Sequence, residues 1–158
     1  MFRTKSLPMI ILLFALLFSI SELYSQGNED NKNLKIVKNF FENGYAKRNY
    51  EVIYETISDD FTGYSNGIQI QLKGPEYQIK GIENEYKVHP DYNIKIDDIF
   101  PSITNKVTVR WTANWTDQKS GKVAALFGIW IAEVKDGKII KGWNIFDLLG
   151  TSKRLKKE

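Results

Sequence analysis

Apolar positions recur at helical spacing over the first part of this chain and alternate over the second. Leu34, Val37 and Phe41 fall at i, i+3 and i+7, and Ile36 and Phe40 at i, i+4. That spacing predicts a first helix stopping at Arg48-Asn49. Asn28, Asp30 and Asn31 offer oxygens for its N-cap. Val52, Ile53 and Ile57 predict a short second helix over 50–58, ended by Asp59-Asp60. Phe61 to Tyr64 reads as a strand, Ser65-Asn66-Gly67 as a turn, and Ile68, Ile70 and Leu72 as the apolar side of a return strand. Gly74-Pro75-Glu76 opens a third helix with Ile79, Ile82 and Tyr86 on its buried side, and His89-Pro90-Asp91 ends it.

From residue 92 the period is two. Tyr92, Ile94 and Ile96 alternate with Asn93, Lys95 and Asp97. Val107, Val109, Trp111, Ala113 and Trp115 alternate with Thr108, Arg110, Thr112 and Asn114. A turn at Asp117 to Gly121 leads into a strand over 123–134, and the tight signal Asp136-Gly137 into a last strand over 138–149. Strands joined by such hairpins are antiparallel. The expectation is one α+β domain, a curved and mostly antiparallel sheet covered on one face by three N-terminal helices.

The long strands are apolar on both faces. Ile139, Trp143, Ile145 and Asp147 share one side of the last strand, and Ile140, Asn144, Phe146 and Leu148 the other. Phe127, Ile129 and Ile131 likewise oppose Leu126, Trp130 and Val134. A sheet with one wet face would not look like this. One face is expected under the helices and the other partly covered by a second copy of the chain. The helix-covered face is expected to enclose a pocket. Trp143, Ile145 and Asp147 are assigned to it, which sets a carboxyl group beside an indole. Desolvation there would raise an acid's pKa and suit it to general acid/base work. A strand-end Asp that caps a turn or pairs with a Lys or Arg is the structural alternative. Tyr64, Tyr77, Trp111 and Phe127 complete the expected pocket.

Residues 1–25 carry a separate signal. Arg3 and Lys5 precede the unbroken apolar run Met9–Phe18, and Ser19, Ser21 and Ser25 follow. This is the layout of a secretory signal peptide, with cleavage expected near Ser25 and the domain occupying 26–158. Ten apolar residues are too few to span a bilayer. Periplasmic or secreted localisation is expected, without stable membrane insertion after cleavage.

The chain has 158 residues with 22 Lys plus Arg against 19 Asp plus Glu, a net charge of +3 that argues against nucleic acid as a partner. With no Cys and one His, disulfide scaffolds, thiol catalysis and Cys-ligated zinc are excluded. No metal or cofactor is expected. His89 is read as a solvent-side residue in a helix-to-strand corner, and the basic residues 153–157 as a solvated end.

Several stretches resemble SnoaL-like proteins of the nuclear transport factor 2-like superfamily. They are Gly137-Lys138-Ile139-Ile140 with Trp143 and Phe146-Asp147-Leu148-Leu149-Gly150, the paired first helices over 37–61, Leu72-Lys73-Gly74 closed by His89-Pro90-Asp91-Tyr92, and the strand over 106–115. The resemblance covers about 34–152 and implies a cone-shaped α+β barrel, usually dimeric through its sheet. The superfamily includes polyketide cyclases, ketosteroid isomerase, limonene-epoxide hydrolase and scytalone dehydratase, besides members without known chemistry. In the cyclase branch a last-strand Asp resembling Asp147 is the general acid/base. Three readings stay open: an exported protein binding a small apolar or aromatic molecule without catalysis; a proton-transfer isomerase, lyase, cyclase or hydrolase working through Asp147; and a dimeric structural or interaction module.

Overall fold

The computed structural model describes residues 27–28 and 30–156. The expected signal segment lies outside them. The first helix, α1, covers 30–39 and widens into a π-helical turn at Phe40–Tyr45, where the Ala46 N–H donates to the Phe41 carbonyl at 2.9 Å. Helix α2 (Tyr50–Thr56) is capped by the Asn49 side chain, which accepts from the Glu51 N–H. Strands β1 (Ile57–Ser65) and β2 (Ile68–Lys73) form a hairpin, and α3 (Pro75–Val88) follows with Pro at its first turn. Strands β3 (Asn93–Pro101), β4 (Lys106–Thr116), β5 (Val123–Lys135) and β6 (Lys138–Phe146) come next, then α4 (Leu148–Lys156).

The six strands form one sheet in the order β2-β1-β6-β5-β4-β3. All neighbours are antiparallel except β1 and β6. The β5–β6 turn places Asp136 and Gly137 both at positive φ, the geometry for which this dipeptide is suited. The expected α+β architecture, with three helices ahead of the long strands, is present. Two element boundaries fall elsewhere than expected near the site. The second helix ends at Thr56 and β1 already starts at Ile57, so Asp59 and Asp60 are exposed strand residues rather than a helix stop. The last strand ends at Phe146, and Leu148-Leu149 opens a helix.

Helices α1, α2 and α3 pack on the concave face. At its closed end Val37, Ile53, Ile57, Phe61, Ile82, Val107, Val109, Ala132 and Ile139 are fully buried. Burying a Val, Ile or Phe side chain there stabilises the fold by about 1.5–3 kcal/mol. Toward the other end the filling becomes aromatic and the packing opens.

Candidate functional site

A cavity of about 270 Å³ lies between the helices and the concave sheet. The π-helical turn contributes Phe40, Phe41 and Tyr45 to its wall. From this turn Phe40 and Phe41 both reach the Trp130 ring, at 5.1 and 5.3 Å between centroids. Trp111 and Trp115 of β4, Leu126 and Trp130 of β5, and Asn144 and Phe146 of β6 line the sheet side, with Leu148 at the start of α4. Two glycines make room for the indoles. A Cβ on Gly128 would lie 2.2 Å from Trp111 Cζ2, and one on Gly142 would lie 2.6 Å from Trp130 Nε1.

Polar groups interrupt this apolar lining on the helix side. Gln78 of α3 is 9 % exposed, and its carboxamide has no protein hydrogen-bond partner among the described residues. Glu85 and His89 lie one turn apart at the C-terminal end of α3, tied through the backbone by the His89 N–H donating to the Glu85 carbonyl at 2.8 Å. Burial raises the Glu85 carboxyl pKa, and the charge of His89 partly opposes this. The His89 ring packs 4.7 Å from Trp115, and its Nδ1 is enclosed without a partner. Tyr45 and Tyr92 are hydrogen-bonded to each other, and burial pushes both phenols well above the usual tyrosine range. Opposite them, the Trp111 indole donates to Asn144 Oδ1 at 3.2 Å.

Of the seven site residues expected from sequence, Trp111 alone is in the cavity wall. The assignment of Trp143, Ile145, Phe127 and Asp147 to the helix-covered face is corrected. Phe127, Trp143 and Ile145 share the outer side of the sheet and Asp147 lies beyond the end of β6, while a register shift at Glu133/Val134 leaves Ile139, expected on the same side as Trp143, in the buried core. Phe127 and Ile145 are 45 % and 62 % exposed on that outer side. Tyr64 stacks on Trp143 at 5.8 Å, and Lys106 and Lys141 lie 5.4 and 5.5 Å from the Trp143 ring. Tyr77 stacks on Phe61 at 5.9 Å and covers Gly63, away from the cavity wall. Asp147 caps α4: its carboxylate accepts from the Gly150 N–H at 2.7 Å and lies 3.5 Å from Arg154. The face was misassigned because both sides of β5 and β6 are apolar. The small inner positions Gly128 and Gly142, paired with large rings, were the signal that separates the two.

Sequence reasoning missed Glu85, Gln78 and Asn144, and read His89 as a solvent-side residue. His89 lines the cavity. Glu85 and His89 at i, i+4 on a helix necessarily share a face, which was the available clue.

A family model described as SnoaL-like polyketide cyclase matches residues 35–155. IdmH from Streptomyces antibioticus, a candidate polyketide cyclase, superposes with a TM-score of 0.69 at 17% identity, covering 79% of this chain and 99% of its own. A candidate polyketide cyclase from Bacillus cereus gives 0.66 at 25% identity, with 78% and 80% covered. An LEH-like epoxide hydrolase from M. tuberculosis gives 0.62 at 18% identity, with 79% and 90% covered. No curated protein matches this chain.

Proposed function

This chain belongs to the SnoaL-like polyketide cyclase family, and from that premise we propose that it binds a small, largely aromatic molecule in the helix-covered cavity. The carrying observation is the wall itself: an aromatic hollow of about 270 Å³ into which Gln78 brings an unpartnered carboxamide. Such an apolar enclosure with a few convergent polar groups suits a small ligand. Native mass spectrometry of the purified protein tests this, with quenching of tryptophan fluorescence by aromatic probes as the second measurement. A retained adduct, or saturable quenching, is expected. Absence of both would overturn the reading.

Glu85 favours a second reading, proton transfer on the bound molecule. Glu85 lines the cavity, makes no side-chain hydrogen bond among the described residues, is shifted toward the protonated form by burial, and lies one turn from His89. In this reading Glu85 and His89 take the acid/base role expected of Asp147. Loss of turnover in Glu85→Gln with ligand binding retained would support it. Retention of turnover would sink it.

Two further proposals concern context. The outer face of β5 and β6, where Ile129 pairs with Ile145, is proposed to be covered by a second copy of the chain. Export is proposed from the basic start and the apolar run at 9–18. N-terminal sequencing of the protein from its native host would then begin near Gln26.

A further inference from the structure

We infer that the cavity selects ligands presenting a hydrogen-bond acceptor, such as a carbonyl oxygen, to Asn144, because Trp111 fixes that carboxamide with its NH2 group turned away from the indole. The inference rests on the cavity being a ligand site. An asparagine side chain has two ends, one accepting and one donating. Which end faces which way is normally decided by its neighbours. Here the neighbour leaves no choice. The indole N–H of Trp111 can only donate, and it lies 3.2 Å from Oδ1. Rotating the amide by half a turn would set N–H against N–H and break the bond. The amide therefore keeps its oxygen on Trp111. Its Nδ2 has no protein partner among the described residues, and the side chain lines the cavity.

Trp111 is itself held firmly. It is buried, its ring lies over Gly128 where a Cβ would come within 2.2 Å, and Phe146 packs 6.3 Å away. The donor is thus oriented before any ligand arrives, which lowers the ordering cost of binding. Gln78 differs: no protein hydrogen bond fixes which end of its carboxamide faces the cavity. Asn144 sets a donor on the sheet side whatever Gln78 does. Trp111 is accordingly a positioning residue and Asn144 a specificity-determining one.

Three probes of similar shape test this: 1-acetonaphthone, which only accepts; 1-naphthol, which donates and accepts; and 1-ethylnaphthalene, which does neither. Their affinities are measured by calorimetry for the wild type and for Asn144→Leu, Asn144→Asp and Trp111→Phe, each checked for native circular dichroism. The readout is the ratio of affinities, which general damage to the cavity would leave unchanged. The ketone-to-alkyl ratio is expected to fall about tenfold in Asn144→Leu, the scale of one buried neutral hydrogen bond. Asn144→Asp, which replaces the donor by an acceptor, should shift preference from the ketone to the naphthol. In Trp111→Phe the amide is free to turn, and the ketone should lose ground to the naphthol. Equal ratios in the wild type, Asn144→Leu and Asn144→Asp would overturn the inference while leaving the cavity a binding site. Failure of all three probes to bind the wild type would overturn the binding proposal, and this inference with it.

Discussion

The indole of Trp130 occupies the space where a side chain at residue 142 would begin. A Cβ built on Gly142 would lie 2.6 Å from Nε1 and 2.9 Å from Cε2. The same indole stacks on Phe40 at 5.1 Å between centroids. A missing side chain on β6 thus lets β5 hold the aromatic floor against α1.

Gly142→Ala is expected to destabilise the fold by about 1–3 kcal/mol, the usual effect of overfilling a packed interior. It should also weaken probe binding, because Trp130 must move. Gly81→Ala on α3 is the control: nothing lies within 4 Å of its added Cβ, and helix propensity should make it stabilising by about 0.5–1 kcal/mol. Urea denaturation of both variants checks the contrast.

Glu85→Gln is expected to stabilise the protein at neutral pH. Burial raises the folded-state pKa of Glu85, so the folded protein holds this proton more tightly than the unfolded chain. That contribution is fully present below the unfolded value of about 4.3 and is lost as pH rises through the folded value. The glutamine variant has no charge to bury. Its advantage over the wild type should therefore be seen at pH 7.5 and vanish near pH 4, measured by denaturation at both.

Asp147→Ala should cost about 1 kcal/mol through loss of the α4 cap, whereas Asp147→Asn, which can still accept from Gly150, should cost much less. Hydrogen exchange at the amides of α4 reads the difference. If Asp147 instead served as an acid/base group, the asparagine variant would lose turnover while keeping the helix intact.

Ile145→Glu and Ile129→Lys should each convert a dimer to a monomer without unfolding it. Both residues are about half exposed in the single chain and face each other across β5 and β6. Light scattering behind size-exclusion chromatography measures the mass. A wild-type monomer at high micromolar concentration would remove the proposed interface.

Much of the architecture was legible because period-two alternation is strong in β3 and β4 and the Asp136-Gly137 turn fixes the start of β6. The site was less legible, for physical reasons that differ by residue. Choosing between the two faces of β6 needed knowledge of which glycines seat which rings, a relation between strands. Leu148-Leu149 continued an apolar pattern, but the chain had already turned into a helix capped by Asp147. His89 stands beside a proline at a corner, where a sequence alone suggests solvent, yet Trp115 from a distant strand closes over its ring. Asn144 offered no pattern at all, since its role depends on an indole 33 positions away.

The parallel pairing of β1 with β6 bears on how the molecule comes into being. The Asn66 N–H donates to the Asn144 carbonyl, and Ile57 is matched with Ile139. A ribosome must release residues 138–146 before the first hairpin has a neighbour to join, so the sheet cannot close before then. Contacts spanning so much chain also form slowly. A nascent polypeptide of this design stays open until that last strand has emerged.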